Sequence, residues 1–155
     1  MKSKLLTRQN EEKTFALIFD EGDEVIQLLT QFAKEQGIDA AHFTAVGAFQ
    51  DVTLGYFMMP QMEYKKIPIQ EQVEVLSLVG NVALDQKKQE PKIHAHVVVG
   101  KADATTRGGH IMEAHVRPTL EVILVEAPAH LKRQIDGKTG LALINLDATW
   151  GKANL

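Results

Sequence analysis

Hydrophobic periodicity constrains the fold of this chain more than any other feature, because only one stretch repeats with the period of a helix. In that stretch, polar side chains occupy the opposite face, and Gly37 follows as a residue suited to end a helix. We therefore predict one helix of about 14 residues before Gly37. The apolar positions that define it are Val25, Leu28, Leu29, Phe32 and Ala33.

Most of the remaining hydrophobic segments are short, rich in β-branched residues and bounded by turn residues, which is typical of strands. One helix among many strands predicts an α+β fold with a mainly antiparallel sheet and the helix near the N-terminus. We expect a loop at 85–91, a glycine-rich turn around Gly108 and Gly109, and a short helical turn at 129–134. The predicted strands are 14–19, 43–48, 52–58, 64–69, 73–84, 93–99, 119–125 and 141–146.

Length and composition limit the class of protein. A chain of 155 residues with 45% hydrophobic residues suits a single domain over residues 1–155, with its core at about 12–147. No apolar run is long enough for a membrane span and no signal-peptide core follows Met1, so we expect a cytoplasmic protein without membrane contact. The net charge of -3 does not favour DNA binding.

Cysteine is absent, so the strong metal ligands left to this chain are His, Asp and Glu. His94 and His96 lie two positions apart at the start of a predicted strand, which puts both imidazoles on one face, roughly 6 to 7 Å apart at the backbone. Gly108 and Gly109 permit close turning before His110, which we place on a neighbouring strand. Three imidazoles suit Zn²⁺ with a fourth position open to water or a ligand.

A simpler interpretation remains open, because a His-x-His pair on a strand can also be an exposed pair without a ligand. His115 would fall on the opposite face from His110 in a regular strand, which favours a surface or interface role. Glu113 and Glu121 are candidate acceptors for imidazole N–H groups, or else exposed strand carboxylates. His42 and His130 lie apart from this motif and need no special role.

Several motifs occur in an order that resembles the plants and prokaryotes conserved (PPC) domain family, in its stand-alone prokaryotic form. The resemblance spans roughly residues 12 to 147, and the ordered set is more specific than any single motif. It implies an α+β fold with a twisted antiparallel sheet, a homotrimer, and a metal bound by His94, His96 and His110. The motifs are Gly47-Ala48-Phe49, Val52-Thr53-Leu54, 73–81, His94-Ala95-His96-Val97, Gly108-Gly109-His110 and Thr119-Leu120-Glu121-Val122.

In plants the same domain accompanies AT-hook segments that enter the minor groove of DNA. This chain has no such segment, since its Arg107-Gly108 lacks a following Arg-Pro. The leading hypothesis is therefore a trimeric, metal-binding module that binds a small ligand or a partner and has a regulatory role. The metal is Zn²⁺ or another divalent transition metal such as Ni²⁺, Co²⁺ or Fe²⁺. The methionine-rich segment 57–62 is a candidate for the subunit interface or for loop packing.

Two alternatives stay open at this point. A metal-dependent hydrolase or lyase would use a metal-bound water, with Glu113 or Glu121 moving a proton. A DNA-binding regulator would require a basic face to form on assembly, despite the acidic total. Whether the chain is an enzyme is not decided by its sequence.

Overall fold

The computed structural model describes residues 1–9, 12–85, 87–127 and 131–146. Within these ranges the chain forms one helix, α1, which lies between the second and third strands, and nine strands. The elements are β1 (Lys2–Gln9), β2 (Glu12–Phe19), α1 (Val25–Gln36), β3 (Ala40–Met58), β4 (Glu63–Ile69), β5 (Val73–Asp85), β6 (Glu90–Gly100), β7 (Thr106–Glu126), β8 (Lys132–Ile135) and β9 (Ala142–Ile144).

Helix α1 occupies the predicted position, and both of its ends have capping groups. The carboxylate of Glu24, the N-cap residue, accepts hydrogen bonds from the N–H groups of Ile26 and Gln27. Gly37 ends the helix with φ 65°, a left-handed conformation that glycine adopts without steric cost. In the described part of the chain, no helix is long and apolar enough to cross a membrane.

The strands form one mixed sheet in the order β1-β2-β7-β3-β5-β8-β9. Strand β4 pairs with β3, and β6 lies against both β5 and β7. The pairings are antiparallel except for the parallel contact of β5 with β8. A mostly β chain with one helix is consistent with the predicted α+β class.

Several local predictions were wrong, and long-range pairing explains each. The segments 43–48 and 52–58 belong to one strand, β3, because both pair along β7 and the ladder absorbs the irregularities as bulges. Gly108 and Gly109 lie inside β7, and the chain reverses earlier, where Asp103 accepts hydrogen bonds from Thr105.

Two strands were not expected. The basic N-terminal segment forms β1 because it pairs with β2 from Lys2 to Gln9. Residues 132–135 form β8 because Leu84 and Asp85 of β5 offer an edge to which they pair, although 132–134 were expected within a helical turn. Residues 129 and 130 of that predicted turn lie outside the described residues.

The two faces of the sheet differ in how far other parts of the chain cover them. One face carries the buried core and the apolar side of α1, including Val25, Leu29 and Phe32. The other, which we call the outer face, carries large hydrophobic side chains that stay exposed in a single chain and alternate with buried neighbours along the strands. These outer-face residues are Ile18, Val46, Leu76, Val79, Val98 and Ile123.

Candidate metal centre

Strands β6 and β7 bring the three predicted histidines together. His94 and His96 alternate with buried Ala95 and Val97, so their imidazoles project from the outer face of β6. In the ladder between the strands His96 pairs with His110 of β7. The ring centroids lie 5.2 to 5.5 Å apart, which places all three imidazoles around one point.

The donor nitrogens have a spacing that suits a shared metal ion. His94 Nε2 and His96 Nε2 are 3.3 Å apart, and one nitrogen from each of the three rings lies within 4.8 Å of the others. Two nitrogens bound to tetrahedral Zn²⁺ at about 2.0 Å would lie about 3.3 Å apart. In addition, His110 Nδ1 is buried and finds no hydrogen-bond partner within the described part of the chain. The donor set therefore fits a transition-metal ion.

Tyr64 of β4 forms one wall beside His110. Their ring centroids are 5.0 Å apart, with the planes tilted by 33°. Gly55, which pairs with His110 in the ladder, makes this contact feasible, because a Cβ there would lie 2.9 Å from Tyr64 Cδ1. The missing side chain of Gly55 thus gives the tyrosine access to the imidazole.

The electrostatic surroundings keep two of the imidazoles neutral. Burial lowers the pKa of His110 to about 4, and positive charge at His94, His96 and Lys92 adds to this effect. Burial also lowers the pKa of His94, followed by the charge of Arg133. A neutral imidazole is the form that binds a metal, so protons compete weakly for these two side chains.

Arg133 of β8 lies near this cluster, although the sequence analysis did not single it out. A cavity of about 160 Å³ is lined by both His94 and His110, together with Arg133, Lys92 and Tyr64. The contact is long-range, since Arg133 donates a hydrogen bond to Asn81, 52 positions earlier in the chain. No local motif around Arg133 predicts that approach.

The candidate outer-shell carboxylates lie elsewhere. Glu113 is 4.0 Å from His115 Nε2, and Glu121 is exposed near the apolar part of the outer face. Among the described residues, neither carboxylate forms a hydrogen bond with the three clustered imidazoles. The structure therefore gives no contact that supports the proposed outer-shell role.

His115 forms a separate pair with a carboxylate. Its Nδ1 lies 2.9 Å from Asp51 Oδ1, and this hydrogen bond raises the pKa of His115. The expectation that it would face away from His110 assumed a regular strand. A bulge at Met112, which has no partner between Ile111 and Glu113 in the β3–β7 ladder, shifts the alternation by one residue. His42 is exposed on β3, and His130 lies outside the described residues.

Comparison with known proteins decides the family. Residues 6–128 match the Plants and Prokaryotes Conserved (PCC) domain, the family that the sequence motifs resemble. The chain belongs to this PPC family. A PPC protein from Pyrococcus horikoshii has a similar structure, with a TM-score of 0.80 and 32% identity, covering 90% of this chain and 97% of that one.

Two further solved structures are similar to this chain. The chain resembles a metal-containing protein from Archaeoglobus fulgidus with a TM-score of 0.79 and 32% identity, covering 94% of this chain and 99% of that chain. It also resembles a protein proposed to bind DNA from Ralstonia eutropha JMP134, with a TM-score of 0.79 and 25% identity, covering 85% and 90% of the two chains.

Among curated proteins, the PPC chain is similar to part of a much longer one. It is 28% identical over 129 residues to the bifunctional protein GlmU of Synechococcus strain JA-3-3Ab. This match covers 81% of the present chain and 19% of that protein. The chain thus spans about a fifth of the length of the curated relatives it matches.

Proposed function

We propose that this PPC domain binds one divalent transition-metal ion through His94, His96 and His110 and holds a small ligand at the open coordination position. The observation that carries this proposal is the convergence of three imidazole nitrogens, two of them 3.3 Å apart. Zn²⁺ is the favoured ion because three imidazoles are a common zinc donor set. The similarity to the metal-containing archaeal protein supports the same interpretation.

The metal would supply a positive centre at which an oxygen or nitrogen of a ligand can bind. The chain itself orients the three imidazoles, since two sit on one strand and the third is held across the ladder. Tyr64 covers one side of His110. These contacts limit where a ligand would approach, which is consistent with the proposed binding module.

The direct test is elemental analysis of untagged protein. We expect about one equivalent of metal per chain, lost in a His94→Ala, His96→Ala double variant. His42→Ala is the matched control, because His42 is an exposed histidine on β3 outside the cluster. Protein that folds but holds no metal after dialysis against Zn²⁺ would refute the proposal.

We also propose that three copies of the chain assemble through the outer face. Five of its exposed hydrophobic side chains border one surface depression, and an exposed patch of this kind often marks a protein interface. The number three comes from the family resemblance. Residues bordering the depression are Ile18, Val46, Leu76, Val79 and Ile123.

Light scattering after size exclusion tests this assembly. We expect a mass three times the 17.2 kDa of one chain, falling to that of the monomer in a Val46→Glu, Ile123→Glu variant. The control is Leu5→Glu on β1, which adds a charge at another exposed leucine. Monomeric unmodified protein at micromolar concentration would contradict the proposal.

The alternative functions receive less support. A hydrolase or lyase needs a carboxylate near the metal, whereas Glu113 lies beside His115 and Glu121 is exposed. For DNA binding, the net charge is -3, and Lys2 of the basic N-terminal strand forms an ion pair with Asp20. Binding of a small ligand therefore accounts best for the site.

A further inference from the structure

Arg133 is a buried cation whose hydrogen bonds are incomplete. Only 4% of its surface is exposed. Its two terminal nitrogens donate to the carbonyl of Ala142, at 3.0 Å, and to the side-chain oxygen of Asn81. Its Nε is buried and has no hydrogen-bond partner among the residues that the structure describes. A buried guanidinium is costly unless an anion compensates its charge, so this arrangement calls for a negative group.

The described part of the chain does not supply that negative group. Asp85 pairs with Arg133 in the ladder between β5 and β8. Its carboxylate, however, accepts hydrogen bonds from the N–H groups of Lys87 and Lys88, at 2.9 and 3.1 Å. Both oxygen acceptors that Arg133 reaches are neutral. Its charge therefore remains available to an anion from outside the described chain.

Arg133 and two of the candidate metal ligands line the same cavity. Its volume is about 160 Å³, and a cavity of about 150 Å³ accommodates a molecule the size of benzene. Lys92 adds a second positive charge, and His94 and His110 form the wall nearest the proposed metal. The remaining lining is largely hydrophobic: Ile93, Leu141, Ala142 and Leu143.

We propose that this cavity binds a small organic carboxylate between Arg133 and the metal held by the three histidines. One carboxylate oxygen accepts from the unpartnered Nε–H of Arg133, and the short hydrocarbon part lies against Leu141 and Leu143. Arginine suits a carboxylate because its planar donors match the two oxygens. The hydrophobic wall disfavours inorganic phosphate, all of whose oxygens need polar partners. This inference rests on the proposed metal-binding function and names the class of its ligand.

Calorimetric titration of the metal-loaded protein with butyrate tests the proposal. Butyramide is the neutral control of similar shape, and inorganic phosphate tests the competing anion. We expect butyrate to bind, and butyramide and phosphate to bind at least about tenfold more weakly. Arg133→Gln should weaken butyrate binding at least about tenfold, because it removes the buried charge that meets the ligand.

Two further variants separate a binding role from a structural one. Lys92→Gln removes an exposed charge at the cavity and should weaken butyrate binding by a smaller factor, with thermal stability unchanged. Lys87→Gln is its matched control, an exposed lysine outside this cavity, and should leave binding unchanged. If Arg133→Gln does not fold, the two lysine variants still decide. Weaker butyrate binding by Lys92→Gln, with unchanged binding by Lys87→Gln, supports the proposal. Equal butyrate affinity in the two variants overturns it.

Metal content, measured on the same samples, distinguishes the two proposals. Protein that holds one metal but does not bind butyrate, or binds butyramide or phosphate equally well, overturns the carboxylate inference and leaves the metal site intact. Protein without metal that still binds butyrate in an Arg133-dependent way supports the carboxylate cavity and refutes the metal function. Loss of butyrate binding in the His94→Ala, His96→Ala variant supports both.

Discussion

Two histidines of the same strand have opposite surroundings. His110 is half-buried among other imidazoles and positive side chains, and its pKa falls to about 4. His115 lies beside Asp51 and Glu113, and its pKa is raised. Both are histidines of β7, so sequence position alone does not distinguish them. The comparison indicates that burial, aided by positive neighbours, makes His110 suitable as a metal ligand, whereas the hydrogen bond to Asp51 makes His115 suitable as the cation of an ion pair.

The largest expected difference between the two histidines concerns metal affinity. His110→Ala should lower the affinity for Zn²⁺ by about 100-fold or more, since loss of even an outer partner of a metal ligand costs about 10- to 100-fold. His115→Ala should leave the affinity unchanged. Competition with a chelator of known affinity measures both, and thermal unfolding confirms that each variant folds. Equal affinities for Zn²⁺ in the two variants would show that His110 and His115 do not differ as metal ligands.

The next effect concerns acid stability of the metal-free protein. Because the pKa of His110 is about 4 when folded and about 6.5 when unfolded, the unfolded chain binds more protons between these values. The free energy of unfolding should therefore decrease as pH falls from about 6.5 to 4, by at most about 3.4 kcal/mol. The free energy of unfolding, measured with urea across this pH range, should decrease less in His110→Gln than in the unmodified protein. An identical pH profile in the variant would contradict this assignment.

The Asp51–His115 pair should show the opposite pH dependence. The pKa of His115 is raised in the folded state. The contribution of the pair to the free energy of unfolding is therefore complete below the ordinary histidine pKa and is lost as pH rises through the raised value. The imidazole is 36% exposed, which limits the contribution to less than about 1 kcal/mol. NMR titration of His115 should show a lower pKa in Asp51→Asn. A raised pKa that persists in this variant would mean that Asp51 is not its main cause.

The smallest expected effect concerns Glu113, a candidate hydrogen-bond acceptor for the imidazoles that would bind the metal. Glu113→Gln should leave the metal content and affinity unchanged, because Glu113 lies near His115. It should lower the pKa of His115 slightly, since the charge of Glu113 contributes to raising it. Elemental analysis and the same NMR titration measure both quantities. A clear loss of metal in this variant would restore the outer-shell role.

Local patterns predicted α1, whereas bringing His110 beside His94 and His96 also rested on the family resemblance and on a turn that lies earlier in the chain than expected. Period-two alternation places His94 and His96 on one face, and the connection after β6 returns the chain so that His110 lies alongside. The bulge at Met112 was not predictable, because the β3–β7 ladder determines where the extra residue is accommodated. Arg133 was missed for a similar reason. The segment 129–134 was expected to form a short helical turn, whereas pairing to β5 makes 132–135 a strand.

X-ray absorption at the zinc edge of untagged, Zn²⁺-loaded protein tests the central claim most directly. Binding by His94, His96 and His110 predicts three imidazole nitrogens at about 2.0–2.1 Å, together with one further oxygen or nitrogen ligand at the open position. In the His110→Ala variant the imidazole contribution should fall to two nitrogens. A spectrum with only oxygen neighbours, or one that His110→Ala does not change, would contradict a three-histidine metal centre.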